Sequence, residues 1–421
     1  MKTRILPILA ALFALHAVLR AGPLGDAVQP YVDNGALAGA VLLAASNEKI
    51  LACEPVGLAD IASKKPMRED TMFWIASMTK PMTAVCVMML VDEGKISLDD
   101  PVSKYIPAFA APRKIVPQNA TSAINPDGTA IPTARQRPVV STSSDSPPNR
   151  KSKIQNSTTP ITIRHLLSHT SGLRRFAPPV RPWHNEKVDR LPLAKAVERY
   201  AASDLLFEPG ADYSYGNAGI NTAGLIIEIV SGMPYAIFVQ KRLLDPLGMK
   251  DTTFWPSGGQ LDRIATAYKG DPNKRTLTPD TGPFLSHPLD DRQSRHAEPG
   301  AGLFSTAADL ARFGQLLLNK GVFNGHRLLS ENAIAEMTRR QTPPHAKSSY
   351  GLCIDNIGPD SFDHNGAFGT NITIWPGENL VTIFMVQRVS KYGAPDGGKA
   401  RPAFEKQARQ MASTPSSTTK Q

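Results

Sequence analysis

Short apolar runs typical of β-strands lie at both ends of this 421-residue chain, and a mainly helical stretch separates them. Near the start, the apolar runs 38–45 and 50–53 flank a polar tetrapeptide, which predicts a β-hairpin. Near the end, three further short strands are predicted at 350–354, 371–375 and 380–387. Strands from the two ends of a chain can join one sheet when the middle is inserted as a second domain. We therefore expect an α/β fold with an all-α insertion, in which helices flank an antiparallel sheet.

The stretch 73–93 predicts a largely buried helix, because its apolar residues recur at three- and four-residue spacing. Gly94 is a natural end for this helix. Pro81 locates its start, since proline is tolerated in a first helical turn, where amide donors lack intrahelical partners. The helix should therefore begin close to Ser77. Further helices are predicted at 162–173, 192–200, 217–232, 235–244, 306–319 and 403–412.

The first 21 residues have the pattern of an export signal. Lys2 and Arg4 precede an apolar run, and small residues follow that run near Ala21. The run is too short to span a bilayer comfortably. We therefore expect a cleaved signal peptide at 1–21 and a periplasmic or secreted protein without a stable membrane span, with a retained membrane anchor as the alternative.

The segment 111–160 interrupts the globular pattern of the chain. It is rich in Pro, Ser, Thr, Asn and Arg, and it carries about half of the formal net charge of +10. We predict a long, polar, basic loop that is disordered, with a specific binding loop as the alternative. The remaining chain is predicted to form an α/β domain from 22–110 and 346–412, a mainly helical domain at 161–345 and a disordered tail at 413–421.

The basic composition is compatible with nucleic acid, an anionic glycan or a membrane surface. No zinc-finger spacing, RNA-binding aromatic motif or basic heptad helix accompanies the charge, so no nucleic-acid partner is expected. Cys53, Cys86 and Cys353 lie in apolar runs and are interpreted as buried small residues rather than a disulfide framework. The sequence holds no metal-binding motif, and we predict neither a metal nor a cofactor.

Ser77 and Lys80 are the first candidates for chemistry. Residues three apart on a helix share a face, so the lysine amine can accept the serine proton. This role requires the pKa of Lys80 to fall, which burial and nearby positive charge both favour. The same Ser-x-x-Lys spacing occurs at Ser46 and Lys49, but in a polar hairpin turn rather than at the start of an apolar helix. We therefore assign the nucleophile to Ser77.

Two further motifs follow along the chain. Tyr215 and Asn217 lie between a Pro-Gly turn and a helix, a junction where functional side chains are often displayed. A phenol beside a lysine can ionise below its ordinary pKa of about 10 and act as a base. His364 and Gly366 precede a predicted strand, and the glycine permits close approach of a ligand. Taken singly, such a tyrosine is more typical of ordinary packing, and such a His-x-Gly is more typical of an ordinary loop.

Together and in this order, the three motifs resemble the serine β-lactamase and penicillin-binding-protein superfamily. The likeness is to its class C β-lactamase-like branch of esterases, D-aminopeptidases and D-alanyl-D-alanine carboxypeptidases, and it covers roughly 38–387. It implies a β-lactamase/transpeptidase-like fold and a serine hydrolase that forms an acyl-enzyme without a cofactor. The implied partner is a small-molecule ester, amide or peptide substrate.

The resemblance also implies roles for individual residues. Ser77 would be the nucleophile, Lys80 its general-base partner and Tyr215 the group that shuttles protons. Asn217 would orient the carbonyl or amide side chain of the substrate. The backbone amides of Ser77 and Ala367 would form the oxyanion hole.

His364, Asn365 and Gly366 fall where many members of the superfamily have Lys-Thr-Gly on the strand that edges the site. The lysine and threonine there help to hold the carboxylate of a β-lactam or peptide. A histidine is mostly neutral at pH 7, so an esterase, amidase or peptidase fits as well as or better than a strong β-lactamase. Two alternatives stay open: a non-catalytic member that binds or scaffolds the cell wall, and binding of an anionic polymer through the loop 111–160.

Overall fold

The computed structural model describes residues 22–116, 155–174, 191–271, 276–280, 285, 288–293, 295–389 and 397–414. The strands are β1 (Gly39–Ala45), β2 (Ile50–Asp60), β3 (Lys65–Pro66), β4 (Phe73–Trp74), β5 (Arg113–Ile115), β6 (Gln155–Ser157), β7 (Tyr268–Asp271), β8 (Thr276–Pro279), β9 (Phe304–Ser305), β10 (Val322–Phe323), β11 (His326–Arg327), β12 (Phe362–Asn365), β13 (Asn371–Trp375) and β14 (Leu380–Met385). The α-helices are α1 (Pro23–Asp33), α2 (Thr79–Asp92), α3 (Ile163–Leu167), α4 (Leu193–Ala201), α5 (Asn217–Ser231), α6 (Tyr235–Val239), α7 (Asp245–Leu247), α8 (Ala307–Leu318), α9 (Glu331–Thr338) and α10 (Ala400–Ser413).

Strands from the two ends of the chain form one six-stranded sheet in the order β12-β13-β14-β1-β2-β3. The seam is the antiparallel pair of β1 with β14, in which Val41 lies opposite Met385 and Ala45 opposite Val381. Every pairing within this sheet is antiparallel. The predicted α/β architecture, an antiparallel sheet flanked by helices with helical structure between its outer segments, is therefore confirmed.

The two faces of the sheet bury different helices because side chains alternate along each strand. On one face, Leu42 and Phe384 pack with α1 and α10 in a cluster that includes Leu24 and Phe404. On the other face, alternate residues such as Leu43 join a larger core with α2, α5 and α8. Helix α2 lies inside this larger core, with all of its residues from Thr79 to Leu90 buried.

The predicted helix at 73–93 begins later than its periodicity suggests. Phe73 and Trp74 form β4 and pair with Ser305 and Phe304 of β9. A 3-10 turn at Ala76–Met78 follows, and α2 then starts at Thr79. The apolar spacing could not separate these segments, because both the short strand and the helix are buried. The start deduced from Pro81 is close to the observed one.

The strand predicted at 350–354 is wrong, because this buried apolar run has no strand pairing. Its backbone folds back on itself, with the Gly351 amide donating to the Ile354 carbonyl at 2.8 Å. Cys353 adopts a left-handed conformation with a φ of 55°, which a strand cannot contain. The run is buried by contact with α3, to which Cys353 donates a backbone hydrogen bond at Leu167.

Helix α1 was not predicted, since it is short and contains Pro30 within its 11 residues. The ends of the predicted loop 111–160 pair as β5 and β6, with Arg113 opposite Ser157. The interior of that loop, at 117–154, lies outside the described residues, as do the predicted signal 1–21 and most of the predicted tail, 415–421. The described part of the chain holds no single helix with the length and hydropathy of a membrane span, although α5 and the helical stretch 235–247, which is bent by 79° relative to α5, pass that test as a pair. Cys53, Cys86 and Cys353 are free thiols.

Candidate active site

Ser77 lies in the 3-10 turn that carries the chain from β4 into α2. The turn depends on Ala76, whose φ of 45° is unusual for a residue with a side chain. Thr79 holds this turn in place, because its hydroxyl donates to the Ala76 carbonyl at 2.7 Å and accepts from the Leu303 amide at 3.1 Å. The chain therefore holds a sparsely populated backbone conformation next to the predicted nucleophile, as is common at functional sites.

Lys80 is buried in the first turn of α2, with no exposed side-chain surface. Its Nζ atom contacts Ser77 Oγ at 3.1 Å, Asn217 Oδ1 at 2.8 Å and the Gly300 carbonyl oxygen at 2.7 Å. These three acceptors match the three donors of a lysine ammonium. A buried amine in contact with one serine hydroxyl has the geometry required to exchange a proton with it.

Asn217 and Tyr215 approach Lys80 from the start of α5. Asn217 is the first residue of that helix and follows Gly216, which has an extended backbone. The Nδ2 of Asn217 donates to Glu298 Oε1 at 2.7 Å, so its amide links Lys80 to a carboxylate. The ring of Tyr215 lies under Lys80, with Nζ 4.8 Å from the ring centroid. The structure thus brings together Ser77, Lys80, Tyr215 and Asn217, as the sequence motifs predict.

Gly366 and Ala367 belong to a turn after β12 that lies against the Ser77 segment. The Gly366 amide donates to the Thr370 carbonyl at 2.7 Å, and the Gly369 amide donates to the Gly366 carbonyl at 3.0 Å. A Cβ atom at position 366 would lie only 2.6 Å from the backbone oxygen of Ile75. The turn can therefore pack this closely against the Ser77 segment only because Gly366 has no side chain. Ala367, the next residue of the turn, is exposed.

His364 differs from the expected substrate-binding position, because its side chain is buried with 2% exposure. Both ring nitrogens are already engaged: Nδ1 lies 3.0 Å from the Asn365 carbonyl oxygen, and Nε2 lies 3.0 Å from the Tyr350 hydroxyl. Burial, with a smaller contribution from Lys80, lowers the pKa of His364 to about 3. His364 is therefore neutral at pH 7, and it holds the buried Tyr350 hydroxyl in place rather than contacting a substrate.

A second buried histidine, His169, contacts both Tyr350 and Tyr215. His169 Nε2 lies 3.2 Å from the Tyr350 hydroxyl, and its ring packs on Tyr215 with centroids 4.5 Å apart. Burial and the nearby Lys80 hold the pKa of His169 well below its usual range, while burial raises the pKa of Tyr350. Since His364 Nδ1 must donate to a carbonyl, its Nε2 accepts from the Tyr350 hydroxyl, which in turn accepts from His169 Nε2.

The sequence motifs did not identify three residues of this site. His169 lies in the stretch 162–173, for which the sequence predicts a helix and no chemical role, and Tyr350 lies in the run 350–354 that is predicted as a strand. Glu298 has no local motif at all, because its contact with Asn217 joins residues 81 positions apart. The glycines after Glu298 are the one sequence signal for this contact, because glycine permits close packing of the backbone. In the structure, a Cβ atom on Gly300 would lie 2.8 Å from Asn217 Cγ. Among the described residues, no group of three or more His, Cys, Asp or Glu side chains could hold a metal ion.

Comparisons with known proteins bear on the family of the chain. The family model described as Beta-lactamase matches residues 24–403. Protein Rv1367c of Mycobacterium tuberculosis is 30% identical over 389 residues, which cover 86% of this chain and 88% of that protein. Lovastatin esterase of Penicillium rubens is 28% identical over 347 residues, which cover 79% of this chain and 76% of that enzyme.

Solved structures agree at the level of the fold. EstCE1, described as a hydrolase with promiscuous acyltransferase activity, superimposes with a TM-score of 0.66 at 22% identity, covering 93% of this chain and 97% of that one. The family model spans most of the chain, and the site motifs meet in one place. The chain therefore belongs to the β-lactamase family of serine hydrolases, as its motifs predict.

Proposed function

We propose that this protein is an esterase that cleaves small esters with an uncharged acyl group through an acyl-enzyme on Ser77. The observation that carries the proposal is the contact of Ser77 Oγ with the buried Lys80 Nζ at 3.1 Å. The similarity to lovastatin esterase supports ester substrates. Tyr215, whose ring contacts both Lys80 and His169, is the third catalytic residue.

In acylation, Ser77 Oγ attacks the ester carbonyl carbon while its proton passes to neutral Lys80. The tetrahedral oxyanion accepts hydrogen bonds from the Ser77 and Ala367 amides, each of which contributes about 3 kcal/mol in the transition state. The C–O bond to the alcohol then breaks, and the alcohol leaves with the proton delivered through Lys80 and Tyr215. In deacylation, water attacks the acyl carbon, gives its proton to the same pair and releases the acid, which restores Ser77.

The preference for an uncharged acyl group follows from His364. Where many relatives carry the lysine of Lys-Thr-Gly, this chain has a neutral, buried histidine whose two ring nitrogens are both occupied. Such a residue supplies no cation for the carboxylate of a peptide or β-lactam. The exposed face of the turn is instead contributed by Ala367, which adds no charge.

The place of action is part of the same proposal. The export signal at 1–21 directs the chain to the periplasm or the medium, where it meets small esters from outside the cell. Fractionation of cells that express the full chain, with N-terminal sequencing of the product, tests this directly. A product that stays in the cytoplasm with Met1 in place overturns the proposed location.

Substrate class is tested by turnover of three probes: p-nitrophenyl butyrate, a chromogenic cephalosporin and a D-alanyl-D-alanine peptide. We expect hydrolysis of the butyrate ester at least about 100-fold faster than that of either carboxylate-bearing probe. All turnover should vanish in Ser77→Ala. Faster hydrolysis of the cephalosporin or the peptide than of the ester contradicts the proposed acyl preference, and ester turnover that survives in Ser77→Ala contradicts the nucleophile.

A further inference from the structure

We infer that Glu298 is a positioning residue for this reaction: it fixes the amide of Asn217 toward Lys80 and, through its charge, sets the proton affinity of that lysine. The inference rests on the proposed roles of Ser77 and Lys80. Asn217 links Glu298 to Lys80, because its amide bonds to both residues.

The orientation of the Asn217 amide is the first step. A side-chain amide has one oxygen acceptor and one NH2 donor, and a flip exchanges them. An ionised carboxylate only accepts, so Glu298 Oε1 at 2.7 Å holds Nδ2 on its own side. The opposite end, Oδ1, is then left to accept from Lys80 Nζ at 2.8 Å. With the amide flipped, an NH2 group would face the lysine amine and would oppose its protonated form.

The backbone around Glu298 is held in place by two helices. The Pro299 carbonyl accepts from Thr83 Oγ1 of α2 at 2.7 Å, and the Gly300 amide donates to Asn221 Oδ1 of α5 at 3.0 Å. The Glu298 carbonyl itself accepts from the Gly302 amide at 2.9 Å. The residue is 7% exposed. The carboxylate therefore belongs to a fixed, buried segment rather than to a mobile surface loop.

The absence of a side chain at Gly300 brings this segment against Asn217. A Cβ atom there would lie 2.8 Å from Asn217 Cγ and 2.9 Å from Asn217 Oδ1. The same residue offers its carbonyl oxygen to Lys80. Glu298 and Gly300 thus contact the amide and the amine from one short stretch of chain, which ties the position of the carboxylate to that of the lysine.

Four other buried titratable groups in this part of the structure are neutral at pH 7. Burial lowers the pKa values of His169 and His364 and raises that of Cys353. Burial also raises the pKa of Tyr235, to which the charge of Glu298 adds a smaller contribution. None of these four groups opposes the charge of Glu298. That charge favours protonated Lys80, which makes the lysine a stronger base and places the acidic limb of the activity profile at higher pH.

The test measures reactivity of Ser77 against pH with a fluorophosphonate probe, in parallel with kcat/KM for p-nitrophenyl butyrate. Glu298→Gln keeps the shape and an acceptor for Asn217 but removes the charge. We expect its acidic limb to move to lower pH by about one pH unit or more, because loss of a nearby opposite charge shifts a pKa by at least that much. Glu298→Asp keeps the charge, so its limb should stay while its rate falls. The control, Glu405→Gln, removes a half-buried carboxylate bonded to Thr373 on the other face of the sheet.

The outcomes separate this inference from the proposed function. If the probe fails to label Ser77 in the unmodified protein, the proposed function is wrong. If Ser77 is labelled and the ester is hydrolysed, but the acidic limb of Glu298→Gln coincides with that of the unmodified protein, only the role of Glu298 is overturned. A limb that moves equally in Glu298→Asp, or in Glu405→Gln, also overturns it, because the shift would then not follow the charge at position 298.

Discussion

Two copies of the Ser-x-x-Lys pattern stand in this chain, and they fold differently. In the hairpin between β1 and β2, Ser46 Oγ accepts from the Lys49 amide at 3.2 Å, and the Ser46 amide donates to the Lys49 carbonyl at 2.8 Å. The Lys49 side chain points into solvent. At the start of α2, Ser77 Oγ instead meets the Nζ of a lysine with no exposed surface.

The difference shows what the spacing needs in order to become a site. In the hairpin, the Ser46 hydroxyl is hydrogen-bonded to the backbone of the turn, and water solvates the amine of Lys49. At the helix start, the chain holds the two side chains on one face, and burial strips water from the lysine. Neither the helical frame nor the burial is contained in the four-residue pattern itself. Four pairs of substitutions test this contrast between a residue of the site and a matched residue outside it.

The largest effect is expected at the serines. Ser77→Ala removes the nucleophile and should lower kcat/KM for p-nitrophenyl butyrate by at least ~10⁴-fold. Ser46→Ala removes only a turn hydrogen bond and should leave kcat/KM within about twofold. Initial rates of the two purified variants decide this, and comparable losses in both would erase the distinction between the two copies.

The lysines should follow the same pattern with a smaller effect. Lys80→Ala removes the general base and should lower kcat by about 10³-fold. Lys49→Ala changes a solvated surface charge and should leave kcat unchanged. Circular dichroism of both variants checks that α2 is intact. Full activity in Lys80→Ala would show that another group takes the serine proton.

Two tyrosines near the site sharpen the contrast further. Tyr215 packs on Lys80 and His169, so Tyr215→Phe should lower kcat by about 10²-fold through loss of its hydroxyl in proton transfer. Tyr213, two residues earlier, packs on His169 and Tyr350 without contacting Lys80 in the described ring contacts. Tyr213→Phe should change kcat less than threefold. Equal losses would mean that these rings act by packing alone.

The smallest effect concerns stability against pH and compares a buried with an exposed histidine. The pKa of His364 is lowered to about 3 in the folded protein, whereas it is about 6.5 in an unfolded chain. The unfolded chain therefore binds the proton first, and stability falls as pH drops below about 6.5. At pH 5 the loss from this one group is about 2 kcal/mol.

Urea midpoints at pH 7.5 and pH 5 measure this loss. His364→Gln should reduce the pH dependence of the unfolding free energy by about 2 kcal/mol. His326→Gln, on the exposed strand β11, should retain the dependence of the unmodified protein. A His364→Gln protein with undiminished pH dependence would show that His364 is not the neutral, buried group described above.

Much of the fold could be predicted because its signals are local. The runs that became β1, β2, β13 and β14 are apolar and of strand length, and their positions at both ends of the chain implied one sheet. The run 350–354 has the same composition, yet it is coil. Its left-handed Cys353 and its contact with Leu167 depend on α3, almost 190 residues away. Apolar composition reports burial, and long-range pairing decides between strand and coil.

The site divides in the same way. Ser77, Lys80, Tyr215 and Asn217 could be predicted, because each belongs to a short motif at the start of a helix. The hidden position of His364 could not, since burial behind Tyr350 follows from packing and not from spacing. Glu298 could not be predicted either, because its contact with Asn217 forms only when the segment around Glu298 packs against α5.

The most direct test of the central claim is to map the residue that a fluorophosphonate labels. The protein is incubated with the probe at pH 8, digested and examined by mass spectrometry. We predict a single phosphonate adduct on the peptide that contains Ser77, no adduct on the peptide that contains Ser46, and no labelling in Ser77→Ala. An adduct on another serine, or an unmodified Ser77 peptide in a folded protein, would contradict the assignment of Ser77 as the nucleophile.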